Sequence, residues 1–384
     1  MDMRIWKIAG LMAAVLAAMP AVGPAVAAEP NTPQYKVEPF WPKLLPNTWA
    51  FGVLAGVIAD KADNIWIIQR PKTVEPYLGG GATTPPTAAC CMPAPPVVAF
   101  NQDGDVVKSW GGPSKQVGGE GYEWPSSEHG IAVDPKGNIW IGGNATRTAP
   151  DGSPADGQIL KFTPDGKFLL QIGHAGPSKG SLDTTQMSGV SDLAFDEKSN
   201  EVFVADGYGN HRIIVFDMDT GKFKRMWGAY GKPPTDEKTE APKPGDKPAA
   251  QFRLVHCVKV SNDGLVYVCD RDNNRMQVFK KDGTFVAEYF YARDTRSPSG
   301  GTVGHIGIWP DKTQSMLAIA DIGNFTVRLV RRDTGEELRT VGRFGPYAGQ
   351  FNRIHQVTFD SQGNLYSAEI QRVQKFTRIG GPKP

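Results

Sequence analysis

The sequence predicts an all-β chain folded as a six-bladed β-propeller of four-stranded blades. Three observations predict it. Gly (44) and Pro (31) are abundant among the 384 residues, a composition that suits many short strands and turns. Six segments repeat along the chain, with starts 49 to 74 residues apart, a spacing of propeller blades rather than of solenoid repeats. Each segment opens with an alternating apolar run, turns at an Asp/Gly/Asn cluster and returns as a second strand, as antiparallel hairpins do.

The elements follow in order. Residues 1–28 read as a secretory signal: Arg4 and Lys7 precede an apolar run from Ile8 to Val22, and Val26-Ala27-Ala28 supplies small residues for cleavage. An uncleaved anchor is the alternative, and no later segment is long and apolar enough to span a bilayer. Residues 29–384 are then one exported domain. The six repeats open AGVIADKADNIWIIQR (55–70), HGIAVDPKGNIWIGGN (129–144), SDLAFDEKSNEVFVAD (191–206), HCVKVSNDGLVYVCD (256–270), HIGIWPDKTQSMLAIAD (305–321) and HQVTFDSQGNLYSAE (355–369). Most continue into a third strand, a D-G or T-G turn and a fourth strand, as in FTPDGKFLLQIG (162–173). The last repeat lacks a fourth strand, which Tyr35-Lys36-Val37-Glu38 could supply, closing the ring and leaving no open edge. The Pro- and Gly-rich stretches 71–96, 111–126, 145–157 and 229–250 read as surface loops, the last as a mobile, solvated one. Over about 51–376 the pattern resembles NHL repeats.

Charge narrows the function. Lys+Arg (42) nearly balances Asp+Glu (40) and no basic stripe stands out, which argues against nucleic acid as a partner. Once a signal is removed no membrane association is expected, and no protein partner can be named. An exported protein can form disulfides. Cys257 and Cys269 fall opposite each other on one hairpin, so a cross-strand bridge is reasonable. The adjacent Cys90 and Cys91 could form a vicinal disulfide, bind metal or stay unpaired, in a loop that is either a lid or a plain insertion.

The first residues of the six repeats are Ala55, His129, Ser191, His256, His305 and His355. Four of the six histidines in the chain thus share one register position. First strands line a propeller's channel, so one register means one height on one axis. His129, His256 and His355 lie on alternate blades, about 120° apart by the symmetry of the ring. Three imidazoles plus an open position is the ligand pattern of catalytic zinc, though imidazole also suits iron, copper or nickel. His305 could be a further ligand, a group behind the ligands or a substrate contact. Each histidine alone would read as an ordinary core residue; the shared register makes that reading weak. The chain returning along each second strand reaches the same mouth. There stand Arg70, Arg271 and the loop Asp206-Gly207-Tyr208-Gly209-Asn210. Guanidinium forks bind carboxylates. A phenol beside two cations and a metal ionises more readily, which suits a general base. Taken one at a time, the arginines would read as surface ion pairs and Tyr208 as turn packing.

These residues resemble the peptidyl-α-hydroxyglycine α-amidating lyases, the propeller half of the peptide-amidating enzyme. The matching stretches are IIQR ending at Arg70, HGIAVDPKGNIWI from His129, VADGYGNHRIIVF around Tyr208, HCVKVSNDGLVYVCDRDNNRMQVF from His256 through Arg271, and FNRIHQVTFDSQGNLY around His355. The resemblance implies zinc on His129, His256 and His355, Tyr208 as base, and Arg70 and Arg271 at the substrate carboxylate and hydroxyl. It implies cleavage of a carbinolamide into an amide and glyoxylate. Arg353 stands where the family has a methionine, and Gly209 replaces a family cysteine. The resemblance also implies a calcium on the carbonyls of Val57 and Ile131 with an acid. That acid is Gln356 here, which counts against calcium. No hydroxylating domain accompanies the propeller within these residues, so another carbinolamide or a small carboxylate remains open as substrate. Two other classes compete: a six-bladed metal hydrolase of the gluconolactonase kind, which draws on carboxylate and amide ligands, and a propeller that binds protein or peptide without chemistry. No phosphate loop or nucleophile elbow is present.

Overall fold

The computed structural model describes residues 32–384, apart from 76–79, 84, 114–120 and 238. The export signal expected at 1–28 lies outside them. Six four-stranded antiparallel sheets follow one another along the chain. Their first strands are Val53–Ala59, Glu128–Val133, Val190–Asp196, Val255–Val260, His305–Ile308 and Gln356–Phe359. These pack side by side around the ring, the last against the first. The sixth sheet is completed by Gln34–Val37, which pairs with Arg372–Gly380 as expected. The described helical segments are short 3-10 turns such as Arg271–Asn273 and a turn near Val74.

Burial explains the strand sequences. Second strands such as Ile65–Arg70 and Glu201–Asp206 are buried on both faces and read as nearly unbroken apolar runs. Outer strands such as Phe168–Ile172 keep exposed positions between partly buried ones. The core is not one mass. It divides into six apolar clusters, each formed where two neighbouring blades meet, with the blade six to blade one cluster (Leu54, Val98, Tyr366, Ala368) closing the circle.

The hairpin turns at the end of the channel opposite Arg70 and Arg271 are fixed by an aspartate. Asp134 accepts from the backbone N–H of Lys136 and Asn138, from the Asn138 amide and from Trp140 Nε1. Asp60 and Asp360 repeat this, which accounts for the recurrent D-x-x-x-N-x-W/Y pattern. Cys257 pairs directly with Cys269 and is disulfide-bonded to it. Cys90 and Cys91 form a vicinal disulfide, the first of the three possibilities. No described residue of 71–96 lines the cavity formed by Arg70, Tyr208, Arg271 and Arg353; the loop is tied down beside blade one by Gln69, whose amide donates to Ala94 O.

Candidate metal centre

A β-bulge positions the ring residues. The ladder between the first two strands shifts register between Leu54 and Gly56, Glu128 and Ile131, Val190 and Asp192, and Val255 and Cys257. Ala55, His129, Ser191 and His256 fall in these shifts, which aim a side chain out of the normal alternation. In blade six, His355 precedes the first strand and its N–H donates to Ala368 O.

The three histidines converge as the sequence predicts. Ring centroids lie 5.3 Å (His129–His256), 4.8 Å (His129–His355) and 5.0 Å (His256–His355) apart. One nitrogen from each lies within 4.8 Å of the others, the only such group of metal-capable side chains among the described residues. The tautomers follow from the neighbours. His129 Nδ1 lies 3.0 Å from Ser191 O, His256 Nδ1 2.6 Å from Gly304 O, and His355 Nδ1 2.8 Å from Ala55 O. A carbonyl only accepts, so each Nδ1 carries the proton and donates. Burial pushes His129 and His256 well below the usual histidine pKa, reinforced by His355 for the first and Arg271 for the second. Burial, with Arg70 and Arg271 nearby, brings His355 to about 3. The three are therefore neutral near pH 7 and turn Nε2 lone pairs to the axis, the form that ligates metal.

Tyr208 stands over two of the three histidines. Its hydroxyl lies 2.9 Å from His129 Nε2 and 2.9 Å from His256 Nε2. One phenolic proton serves only one of two lone pairs, so this donor set fits a divalent cation. The Tyr208 loop is held by Asp206, a buried carboxylate that accepts from Ser188 N, Asn210 Nδ2 and Arg212 Nε. Gly207 lets the loop pass: a Cβ there would lie 2.0 Å from Val255 O.

A cavity of about 270 Å³ opens above the ring, lined by Arg70, Asn144, Tyr208, Arg271, Arg353 and His355, with Leu54 and Ile322 among its apolar members. Arg70 donates to Glu128 O (2.8 Å) and Asn144 Oδ1 (3.0 Å). Arg271 donates to Asp272 (2.8 Å), and its guanidinium lies 5.8 Å from the Tyr208 ring centre. Against its burial, Tyr208 and Asp272 raise the Arg271 pKa. The four residues singled out around the histidines (Arg70, Tyr208, Arg271, Arg353) are thus brought together with His355. Asn144 was not singled out, although it too follows a second strand and so sits at this mouth.

His305 is a correction. It pairs with Ala320, one residue before Asp321, so it aligns with Asp192 and Cys257 rather than with His256; Gly304 holds the ring position. The one-residue slip turns its side chain away from the ligands. Its Nδ1 lies 3.1 Å from Val357 O and its Nε2 3.5 Å from Asp192 Oδ2, which also accepts from Lys259 (2.7 Å). Despite burial, Lys259 and His305 hold the Asp192 carboxyl below its ordinary range. His305 is neither a ligand nor a lining residue of the cavity. Near Val57 and Ile131, Gln356 Oε1 accepts from Val57 N (3.2 Å), and its buried Nε2 has no hydrogen-bond partner among the described residues. An N–H there offers nothing to calcium.

The NHL repeat family matches residues 188–216 and 252–279. Peptidyl-glycine alpha-amidating monooxygenase of Mus musculus is 33% identical over 255 residues, covering 65% of this chain and 23% of that protein. Peptidyl-alpha-hydroxyglycine alpha-amidating lyase 1 of Drosophila melanogaster is 26% identical over 291 residues, covering 68% of this chain and 47% of that protein. The chain thus spans between about a quarter and half of these relatives. Among solved structures, the WD40 propeller domain of Doa1 superposes with a TM-score of 0.50 at 12% identity, over 91% of this chain and 98% of that one, which speaks to the fold alone.

Proposed function

The chain carries NHL repeats and is homologous to the peptidyl-α-hydroxyglycine α-amidating lyases, and from that premise we propose that it is an exported, metal-dependent carbon–nitrogen lyase acting on an α-hydroxyglycine-type carbinolamide. The observation that carries this reading is the Tyr208 hydroxyl 2.9 Å from two histidine Nε2 atoms, inside a cavity flanked by Arg70 and Arg271. A divalent cation on His129, His256 and His355, zinc by preference, would supply Lewis acidity toward the substrate hydroxyl. Tyr208 removes the hydroxyl proton. The C–N bond breaks as the carbonyl forms, and the proton ends on the amide nitrogen, giving an amide and glyoxylate. Arg70 and Arg271 bind the carboxylate and fix the reacting carbon beside the phenol. Export agrees with the two disulfides.

The test has two parts: elemental mass spectrometry of untagged protein purified without chelator, and glyoxylate release from an N-acyl-α-hydroxyglycine. One transition metal per chain with glyoxylate and amide in equal amounts is expected. Metal-loaded protein that releases neither overturns the lyase assignment.

A further inference from the structure

A second, wider depression of about 460 Å³ adjoins the metal-side cavity, sharing Arg271, Ser299 and Arg353 with it. It adds Arg253 and Arg296. Across the two spaces five guanidinium groups face a single carboxylate, Asp272. That carboxylate is already engaged by Arg271 Nε at 2.8 Å. Among the described residues, the Arg253 side chain reaches only the carbonyl of Asp272, at 3.5 Å, and that of Arg296 only the carbonyls of Arg293 and Thr295. Among the described residues the Arg353 side chain has no hydrogen bond or ion pair. The chain as a whole carries a formal net charge of only +2. This is therefore a local concentration of positive charge and not the reflection of a basic surface. Clefts lined by one sign of charge gather ligands of the other.

We propose that this depression is a subsite for an anionic acyl group: the preferred substrate carries a second carboxylate on the amide side of the scissile bond. The proposal rests on the lyase reading above. Arg70 and Arg271 take the carboxylate of the glyoxylate-forming end. Arg353, at the junction of the two spaces, with Arg253 and Arg296 beyond it, takes the carboxylate of the acyl end. An acidic peptide or a dicarboxylic acyl amide has this chemistry.

The experiment compares two α-hydroxyglycine amides of matched length, N-succinyl and N-butyryl, on the metal-loaded full chain. The expected result is a KM about tenfold lower for the succinyl compound at similar kcat, the gap closing in high salt. In Arg253→Ala/Arg296→Ala the gap should shrink while butyryl turnover keeps its wild-type kcat. Equal KM values for both compounds in the wild type overturn the subsite. Calorimetry with the unreactive N-succinylglycine and N-butyrylglycine separates the two claims. Tighter succinyl binding without turnover of either amide sinks the lyase reading and keeps the subsite. Equal or absent binding of both sinks the subsite.

Discussion

Tyr208 and the three imidazoles differ in what their loss should do. Tyr208→Phe removes a proton acceptor and leaves every ligand, so kcat on an α-hydroxyglycine substrate should fall by about 10²- to 10⁴-fold with metal content unchanged. An unchanged kcat would take the phenol out of the mechanism. The histidines also link acidity to stability. Burial, Arg70 and Arg271 lower the His355 pKa to about 3, whereas in the unfolded chain it titrates near 6.5. Below that pH the unfolded state binds the extra proton, so this contribution is complete above about pH 6.5 and drains away as the pH falls toward 3. For His355 the loss between pH 6.5 and 4.5 is at most about 3 kcal/mol. Urea unfolding of metal-free protein at pH 7 and 4.5 should show a drop that His355→Gln partly abolishes; equal drops would contradict the assignment.

Between residue and ring stand the loops that carry chemistry, and one glycine shows how tightly they are seated. A methyl at Gly207 would meet Val255 O at 2.0 Å. Backbone on both sides leaves only displacement, so Gly207→Ala should cost about 1–3 kcal/mol and lower kcat by moving Tyr208. Gly137→Ala is the control. It has open space and a φ of 86°, at a turn remote from the ligands. It should cost about 1 kcal/mol through backbone strain and leave kcat alone; a similar kcat loss in both would detach the effect from Tyr208. Elements of this kind were legible in the sequence when the repeat encoded them. Hairpins, the Cys257–Cys269 pair, the closing strand (expected at 35–38, found at 34–37) and the alternate-blade histidines all follow from period and register. His305 misled because aligning it with the other histidines hides a one-residue slip: it is Gly304 whose N–H donates to Ala320 O, as His355 N–H does to Ala368 O, so His305 stands at the position of Gln356. Arg253 and Arg296 lie in irregular segments outside the hairpin pattern, and nothing in the repeat says where such segments fold.

At the scale of the whole ring, stability and metal are separable. The six interblade cores bury dozens of apolar side chains, each contributing about 1.5–3 kcal/mol of transfer free energy. One bound ion at a thousand times its Kd adds about 4 kcal/mol. Chelation should therefore lower the melting temperature and leave the far-ultraviolet β signal in place at 25 °C; collapse of that signal would mean the ion, not the cores, holds the ring. The hydrogen bonds that set the ligand tautomers run between blades: His129 to Ser191, His256 to Gly304, His355 to Ala55, with Ser191 Oγ donating to Val255 O in the same circle. His355 completes its bond only on blade one, and its own blade is finished only by the strand 34–37. During biosynthesis the nascent chain thus owns two imidazoles long before the third, and two alone form a poor chelate. On the proposed metal site, metallation would then be a late event in the life of the molecule, dated by the meeting of His355 with Ala55 of blade one.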